Sequence, residues 1–469
     1  MSTKKQESII CPFCCHRFHP NEAHFRLSGN KRIQDEKLYN YYVNILYADN
    51  VDAKAYSAQF PFVSLIQHAE MIKYDEADIE NFGFVQRITI SHEDGRVETA
   101  DTRLCPYCHN NLPTGYGIRD TIMISILGDA RSGKSVFLTV LIAELENNTD
   151  FVSKLTFIGD QQVRHNFYTN YQRPLLKEHT LISSTKRTKI PPYAFNYWYQ
   201  YKDENGLISE NSIDIIFYDI AGEDLRDDTG IRKNGFNIKD SSGLIFLIDP
   251  TNFTKLADLF RLSDSALIEA IPDENSNQMV FDTLYNYFIG FDREKSKIPM
   301  ALVLSKADLF KYANFDFFNN KPESRIQKIL GDEVHQGAVN MPSIKGLHRE
   351  VREIISHLSE DGVLNNAAGC FKNVSCFAVS SLGKKPIVEK ISNPETNETV
   401  EKGYLDGPIK PFRVKDPFYW ILMRNQQMLK YENGKYVMHG ESLPDDKAVK
   451  TISLWRRLLN FVKFFRNQG

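Results

Sequence analysis

The 469-residue chain contains no apolar run near the roughly 20 residues that span a bilayer. Its opening, MSTKKQESII, has no apolar stretch of the signal-peptide kind. Both absences favour a cytoplasmic chain. A basic surplus is missing too: 57 Lys and Arg stand against 60 Asp and Glu, for a formal charge of -3 and a pI near 6.5. No nucleic acid is therefore expected as a partner. Cysteine is scarce, and the seven present are not spread as a disulfide framework. Five of them, Cys11, Cys14, Cys15, Cys105 and Cys108, fall in two tight clusters, which points to metal. Cys370 and Cys376 have no partner motif and are expected in a core.

The two clusters repeat one phrase, CPFCCHRF from Cys11 and CPYCHNNL from Cys105, each with an apolar residue, Phe18 or Leu112, four positions after its second cysteine. Two C-x-x-C knuckles offer four thiolates, Cys11, Cys14, Cys105 and Cys108, for a closed tetrahedral Zn²⁺ site of the structural kind. The neighbours Cys15, His16, His19 and His109 are read as solvated residues beside the knuckles rather than as ligands. Between the knuckles lies a long insert with a helix-like stretch, DEKLYNYYVNILYA, and a hairpin turning at Asp94-Gly95. The insert shows no recognisable chemistry.

From Thr121 the pattern changes. An apolar strand, TIMISIL, leads into GDARSGKS and then an apolar-periodic helix. AFNYWYQY and SIDIIFYD flank KDENG as a hairpin, and GLIFLID, MALVLSKAD and NVSCFAVSS follow with helix-sized gaps between them. Alternating strands and helices predict an α/β domain with a mostly parallel sheet covered on both faces. Lys384–Lys410 reads as an exposed loop, and DPFYWILMRNQQMLK as a helix. The last segment, SLWRRLLNFVKFFRNQG, is a basic amphipathic helix that either covers the chain's own core or makes a peripheral contact with a membrane or partner.

Gly128, Gly133, Lys134 and Ser135 satisfy G-x-x-x-x-G-K-[ST] between a strand and a helix. The loop Gly128, Asp129, Ala130, Arg131, Ser132, Gly133, Lys134, Ser135 and Val136 is thus expected to cradle phosphates, with Lys134 reaching the β- and γ-phosphates and Ser135 on Mg²⁺. A phosphate loop alone does not choose among kinases, ATPases and GTPases. DIAGE supplies the choice: Asp219 is placed to hold Mg²⁺ through water and the Gly222 amide to sense a γ-phosphate, the D-x-x-G arrangement of Ras-like GTPases. SKAD resembles the N-K-x-D guanine motif, with Asp308 accepting from the guanine N1 and N2 donors and the Lys306 stem over the ring. Ser305 stands where asparagine is usual, which weakens the loop-bracing role. VSSLG resembles the fifth GTPase motif, with Ser381 and Leu382 near the base. The order of these motifs predicts binding of GTP and GDP.

The knuckles, the phosphate loop, FYDIAGED, GLIFLIDPT and the late DPFYWIL together resemble the bacterial double-GTPase family, a TRAFAC-class group of Ras-like P-loop domains. That resemblance implies a second GTPase domain as partner, in a homodimer or from a neighbouring gene, a protein effector that reads the switch, and a setting in conflict or defence loci. It also implies a switch I threonine on Mg²⁺, for which ISSTKRTKIPPYAF offers Thr185 and Thr188, with Thr185 preferred. Glu223 follows D-x-x-G where Ras-like enzymes carry the glutamine that orients water. Arg131 occupies the loop position at which atlastins and guanylate-binding proteins supply an arginine finger, which makes Arg131, Lys134 and Glu223 the expected hydrolytic set. Expected domains are a zinc-ribbon module with its insert over 1–118, a Ras-like GTPase domain over 119–430 and the helical tail over 431–469. A nucleotide-binding scaffold with little hydrolysis is the alternative.

Overall fold

A computed structural model of the chain describes residues 8–28, 31–46, 50–92, 94–129, 132–149, 152–182, 191–202, 207–220, 222–225, 231, 235, 237–253, 274–289, 294–311, 329, 331, 335, 339–358, 362–392, 399–428, 430–432 and 435–437. Ala130, Arg131, Thr185, Thr188 and the basic C-terminal helix lie outside the described residues, as does the Glu223 side chain.

Among the described residues the centre of the fold is a seven-stranded sheet. In chain order its strands are β1 (Thr121–Gly128), β2 (Ser153–Phe157), β3 (Tyr193–Lys202), β4 (Ile208–Asp219), β5 (Gly243–Ile248), β6 (Met300–Leu304) and β7 (Val374–Ala378). They lie side by side as β2-β3-β4-β1-β5-β6-β7. The β4, β1, β5, β6 and β7 neighbours are parallel, whereas β2, β3 and β4 are paired antiparallel. β5 and β6 are buried at every position, as expected of parallel strands packed on both faces, and this is why they read as unbroken apolar runs. β2, the edge strand SKLTF, was not foreseen; alternating half-buried and exposed residues gave it a weak signal.

Helix α1 (Lys134–Glu146) starts at Gly133, whose φ of 85° is left-handed, and buries Phe137, Leu138, Val140, Leu141, Ile142 and Leu145. Helices α2 (Glu274–Ile289), α3 (Met341–Leu358) and α4 (Gly362–Cys370) fill the gaps on either side of β6 in sequence. Helix α5 (Asp416–Arg424) is the first part of the expected DPFYWILMRNQQMLK helix and is almost wholly buried, but it ends at Arg424, and Lys430 already belongs to a strand. It packs so close to β5 that a Cβ at Gly243 would lie 2.5 Å from Ile421. Cys370 and Cys376 are core residues, as expected.

Lys384–Lys410 is not simply a loop. It contains a hairpin, Ile387–Ser392 paired with Thr399–Tyr404. The strand Lys430–Glu432 crosses the expected 430/431 boundary and pairs with both Lys435–Val437 and Val339–Asn340. The beginning of the tail is therefore joined to the α/β domain.

In the N-terminal region, Ile9–Ile10 and Arg17–Phe18 pair around the first knuckle, and Leu104 bridges Asn111 around the second. The insert contains the expected helix, Glu36–Asn44, and a hairpin of Ile88–Ser91 with Val97–Ala100 whose turn includes Gly95 at φ 80°. One continuous apolar core runs from the four knuckle cysteines to the central sheet.

Candidate functional site

The carboxyl ends of β1, β4, β5, β6 and β7 face one side because these strands are parallel, and such an end is where open α/β sheets bind ligands. β1 ends at Gly128, whose φ is 143° and where a Cβ would approach the Leu247 carbonyl oxygen to 2.4 Å. Glycine is required at that point. The Lys134 Nζ donates to the carbonyl oxygens of Gly128 at 3.0 Å and Asp129 at 2.8 Å, and Ser132 Oγ donates to the Asp129 carbonyl oxygen at 2.8 Å. The loop is thereby closed around a buried ammonium at the amino end of a 13-residue helix, the arrangement that receives phosphate.

Ser135 Oγ donates to Asp219 Oδ2 at 2.6 Å. Two residues expected to share a magnesium ion, one opening α1 and the other closing β4, are thus in direct contact. Burial pushes the Asp219 carboxyl up, opposed by the Lys134 charge and the Ser135 hydrogen bond. Gly222 begins a short 3-10 turn just beyond.

At the other edge of the site, Ser380 Oγ donates to Asp308 Oδ1 at 2.6 Å, and the amide of Gly383 donates to Ser380 Oγ at 2.8 Å. Burial raises the Asp308 carboxyl, and the Ser380 hydrogen bond works against that. The Ala307 amide donates to the Val379 carbonyl oxygen at 3.0 Å, so SKAD and VSSLG form one wall. Ser381 and Leu382 follow, both half-buried. Ser380 was missed as a site residue, although the serine just before Ser381 was visible in the sequence. Asp249 was missed as well: it lies at the end of β5, buried, with Lys306 Nζ 2.5 Å away.

The second constellation is the cysteine cluster. Cys11 and Cys108 Sγ are 3.7 Å apart, Cys14 and Cys105 Sγ are also 3.7 Å apart, and all four sulfurs lie within 4.8 Å of one another. Zn–S bonds of about 2.3 Å make a tetrahedron whose edge is about 3.8 Å, so the donor set fits zinc in chemistry and in size. The knuckles are near copies in three dimensions. The amides of Phe13 and Tyr107 each donate to the first sulfur of their own knuckle at 3.4 Å, and Cys15 and His109 both have left-handed backbones. Burial pushes the Cys11 and Cys108 thiols up, while hydrogen bonds from the neighbouring thiols hold Cys14 down. Crowded thiols of that kind are relieved when a cation replaces their protons.

His109 is not a solvated bystander. It is buried, with Nδ1 2.9 Å from Asp35 Oδ1, and Arg26 Nη1 donates to Asp35 Oδ2 at 3.1 Å. Asp35 also accepts from the Leu38 amide at the start of Glu36–Asn44, so one carboxylate ties the insert's helix to the second knuckle. His16 stacks on Tyr107 at 4.6 Å, and His19 caps a short 3-10 turn.

The described residues contain no helix long and apolar enough to cross a membrane. Residues 122–353, just under half of the chain, match the family model described as Double-GTPase 2. SaeC of Mycolicibacterium smegmatis, named as an ESX-1 scaffolding and assembly protein, is 23% identical over 329 residues, which cover 68% of this chain and 78% of that relative. Among solved structures, the GTP-bound GTPase-like domain of S. cerevisiae Ski7 aligns at 14% identity and a TM-score of 0.30, over 67% of this chain and 52% of that one. Sup35 complexed with GMPPNP aligns at 11% identity and a TM-score of 0.22, over 57% and 39%. The chain spans about half or less of the solved chains it matches.

Proposed function

We propose, taking the α/β domain as a member of the double-GTPase family, that the chain is a GTP-binding and GTP-hydrolysing switch whose state is read by a partner. The observation that carries the proposal is a set of three contacts at the carboxyl ends of the parallel strands: Lys134 folded onto its own loop, Ser135 on Asp219, and Ser380 on Asp308. In this reading Lys134 binds the β- and γ-phosphates. Ser135, Asp219 and Thr185 hold Mg²⁺, the Gly222 amide senses the γ-phosphate, and Asp308 reads the guanine edge while Ser380 fixes its carboxylate. Mg²⁺ held by those residues would supply positive charge against the charge that develops on the phosphates. Arg131 offsets charge near the β–γ bridge, and Glu223 accepts a hydrogen bond from the attacking water. Water adds to the γ-phosphorus, the bond to the β-phosphate oxygen breaks, and GDP and phosphate leave. The Cys11, Cys14, Cys105 and Cys108 thiolates hold Zn²⁺ in a closed structural site.

The partner in this reading is a second GTPase domain, either another copy of the chain or the product of a neighbouring gene, and the setting is cytoplasmic conflict or defence. A second reading, a nucleotide-binding scaffold with little hydrolysis, is favoured by one observation: the relative SaeC is named for scaffolding and assembly. Turnover of GTP and ATP by the purified chain, alone and with its genomic neighbour, separates the readings. The switch requires GTP turnover that exceeds ATP turnover. In Asp308→Asn, nucleotide preference should shift towards xanthine, because the substitution reverses a donor–acceptor pair at the base edge. Tight GTP binding with no turnover under either condition leaves the scaffold. Equal binding of ATP and GTP by the wild type sinks the guanine assignment.

A further inference from the structure

The departure at Ser305 poses a physical problem, since the asparagine usual there braces the base-binding loop against the rest of the site. Ser305 is too short for that, and its polar groups are used locally: both its amide and its Oγ donate to the Ile248 carbonyl oxygen, at 2.9 and 3.0 Å. Lys306, the next residue, has φ 51°. A left-handed backbone is strained for a lysine and persists only where its surroundings over-determine it.

Its surroundings do so at the residue after Ile248. Lys306 Nζ lies 2.5 Å from Asp249 Oδ2, with the lysine side chain 40% exposed and the aspartate 3%. The other oxygen, Oδ1, accepts from the Thr251 amide at 2.9 Å and from Thr251 Oγ1 at 2.7 Å. The carboxylate is fixed from behind by the DPT turn and presents its remaining oxygen to the lysine. An ion pair with one partner buried and braced orients a flexible side chain in a way that a fully exposed pair does not.

We infer that Asp249 is a positioning residue for purine-base binding: it anchors the Lys306 ammonium so that the lysine stem forms a fixed platform for the base, taking over at the end of β5 the bracing that Ser305 cannot supply. This rests on the nucleotide reading above. Asp249 acts through Lys306 on the base and has no role at the phosphates. Its loss therefore costs affinity for a nucleoside diphosphate and spares affinity for a phosphate chain alone.

The test compares GDP, ADP and inorganic pyrophosphate as probes of the full-length wild type, Asp249→Asn, Lys306→Met and the double variant. Asp249→Asn keeps an oxygen acceptor for Thr251 and removes the charge. It should raise the GDP Kd about tenfold, chiefly through faster release, and leave the pyrophosphate Kd within twofold. Lys306→Met should do the same, and the double variant should be no worse than either single one, because residues acting as a unit are not additive. Additive losses, or a parallel loss of pyrophosphate binding, would mean that Asp249 only supports the turn, and would overturn the inference. So would an unchanged GDP Kd in Asp249→Asn when the wild type prefers GDP to ADP. A wild type that binds pyrophosphate and does not distinguish GDP from ADP overturns the guanine reading itself, and this inference with it.

Discussion

The cysteine knuckles and the nucleotide edge are both small polar constellations on one apolar core, and they are built in opposite ways. In the knuckles the amides of Phe13 and Tyr107 are directed at cysteine sulfurs, and Asn110 Nδ2 donates to Cys108 Sγ at 3.3 Å. Four thiolates complete a tetrahedron, so zinc held there would have no open position. At the nucleotide edge the charged groups rest on exchangeable partners: the Lys134 ammonium on two loop carbonyls, and the Ser135 hydroxyl on Asp219. In the proposed reading a phosphate oxygen would take the place of the loop carbonyls at Lys134, and a magnesium ion would come between Ser135 and Asp219. A closed shell suits a structural role, and a shell of replaceable contacts suits a ligand that comes and goes.

The largest effect is expected at the knuckles, since structural zinc sites contribute on the order of 10 kcal/mol to folding. Metal analysis of chain purified without chelator should find one zinc per chain, and Cys105→Ser should lose it, with loss of N-terminal protection in hydrogen exchange. GTP affinity should stay within about fivefold. Protein that contains no zinc yet keeps the same protection would mean that the knuckles fold without metal. The next effect in size is Lys134→Ala, for which calorimetry should show GTP affinity down by at least about a hundredfold, roughly 2.7 kcal/mol. The melting temperature should change little, since the Lys134 ammonium donates to the carbonyl oxygens of Gly128 and Asp129 in its own loop. A large drop in melting temperature would make the nucleotide edge as structural as the knuckles.

Arg131 separates binding from hydrolysis at the nucleotide site. In Arg131→Ala a finger demands a kcat lower by at least about tenfold, 1.4 kcal/mol, with GTP affinity little changed. If affinity falls and kcat holds, the arginine is part of the replaceable shell and not of the hydrolytic machinery.

The legible parts of the fold were those whose signal is local. β5 and β6 announce themselves because strands buried on both faces are apolar throughout, β1 and β7 because they are nearly so, and the phosphate loop because its glycines are dictated by backbone geometry. The hairpin at 387–404 was hidden for the opposite reason. Its own composition is polar, and it is held by distant chain: the Leu181 amide donates to the Gly403 carbonyl oxygen at 2.9 Å and the Leu405 amide to the His179 carbonyl oxygen at 2.7 Å. Asp35 was hidden likewise. Its partner His109 lies 74 residues away, and a lone aspartate before a helix reads as a cap and nothing more. Ser380 and Asp249 are plain in the sequence as residues, but the neighbours that give them a role come together only in the fold.

The smallest predicted effect falls where the two regions meet. Tyr218 is one residue before Asp219 on β4, and its hydroxyl donates to the carbonyl oxygen of Pro12, inside the first knuckle, at 2.8 Å. Alternation along a strand sends Tyr218 and Asp219 to opposite faces, so one strand end carries a knuckle contact on one side and a nucleotide-site carboxylate on the other. Arg17 and Asp240 add a partly exposed ion pair at 3.3 Å, which contributes little. Tyr218→Phe removes the hydroxyl and leaves a buried carbonyl without that donor, a loss on the order of 1 kcal/mol. If the knuckles only support the strand, the variant should melt a few degrees lower and bind GDP within about threefold of the wild type. A GDP affinity reduced tenfold or more, with zinc content unchanged, would mean that the knuckle sets the position of Asp219 through this hydroxyl, and the two regions would then have to be treated as one coupled site.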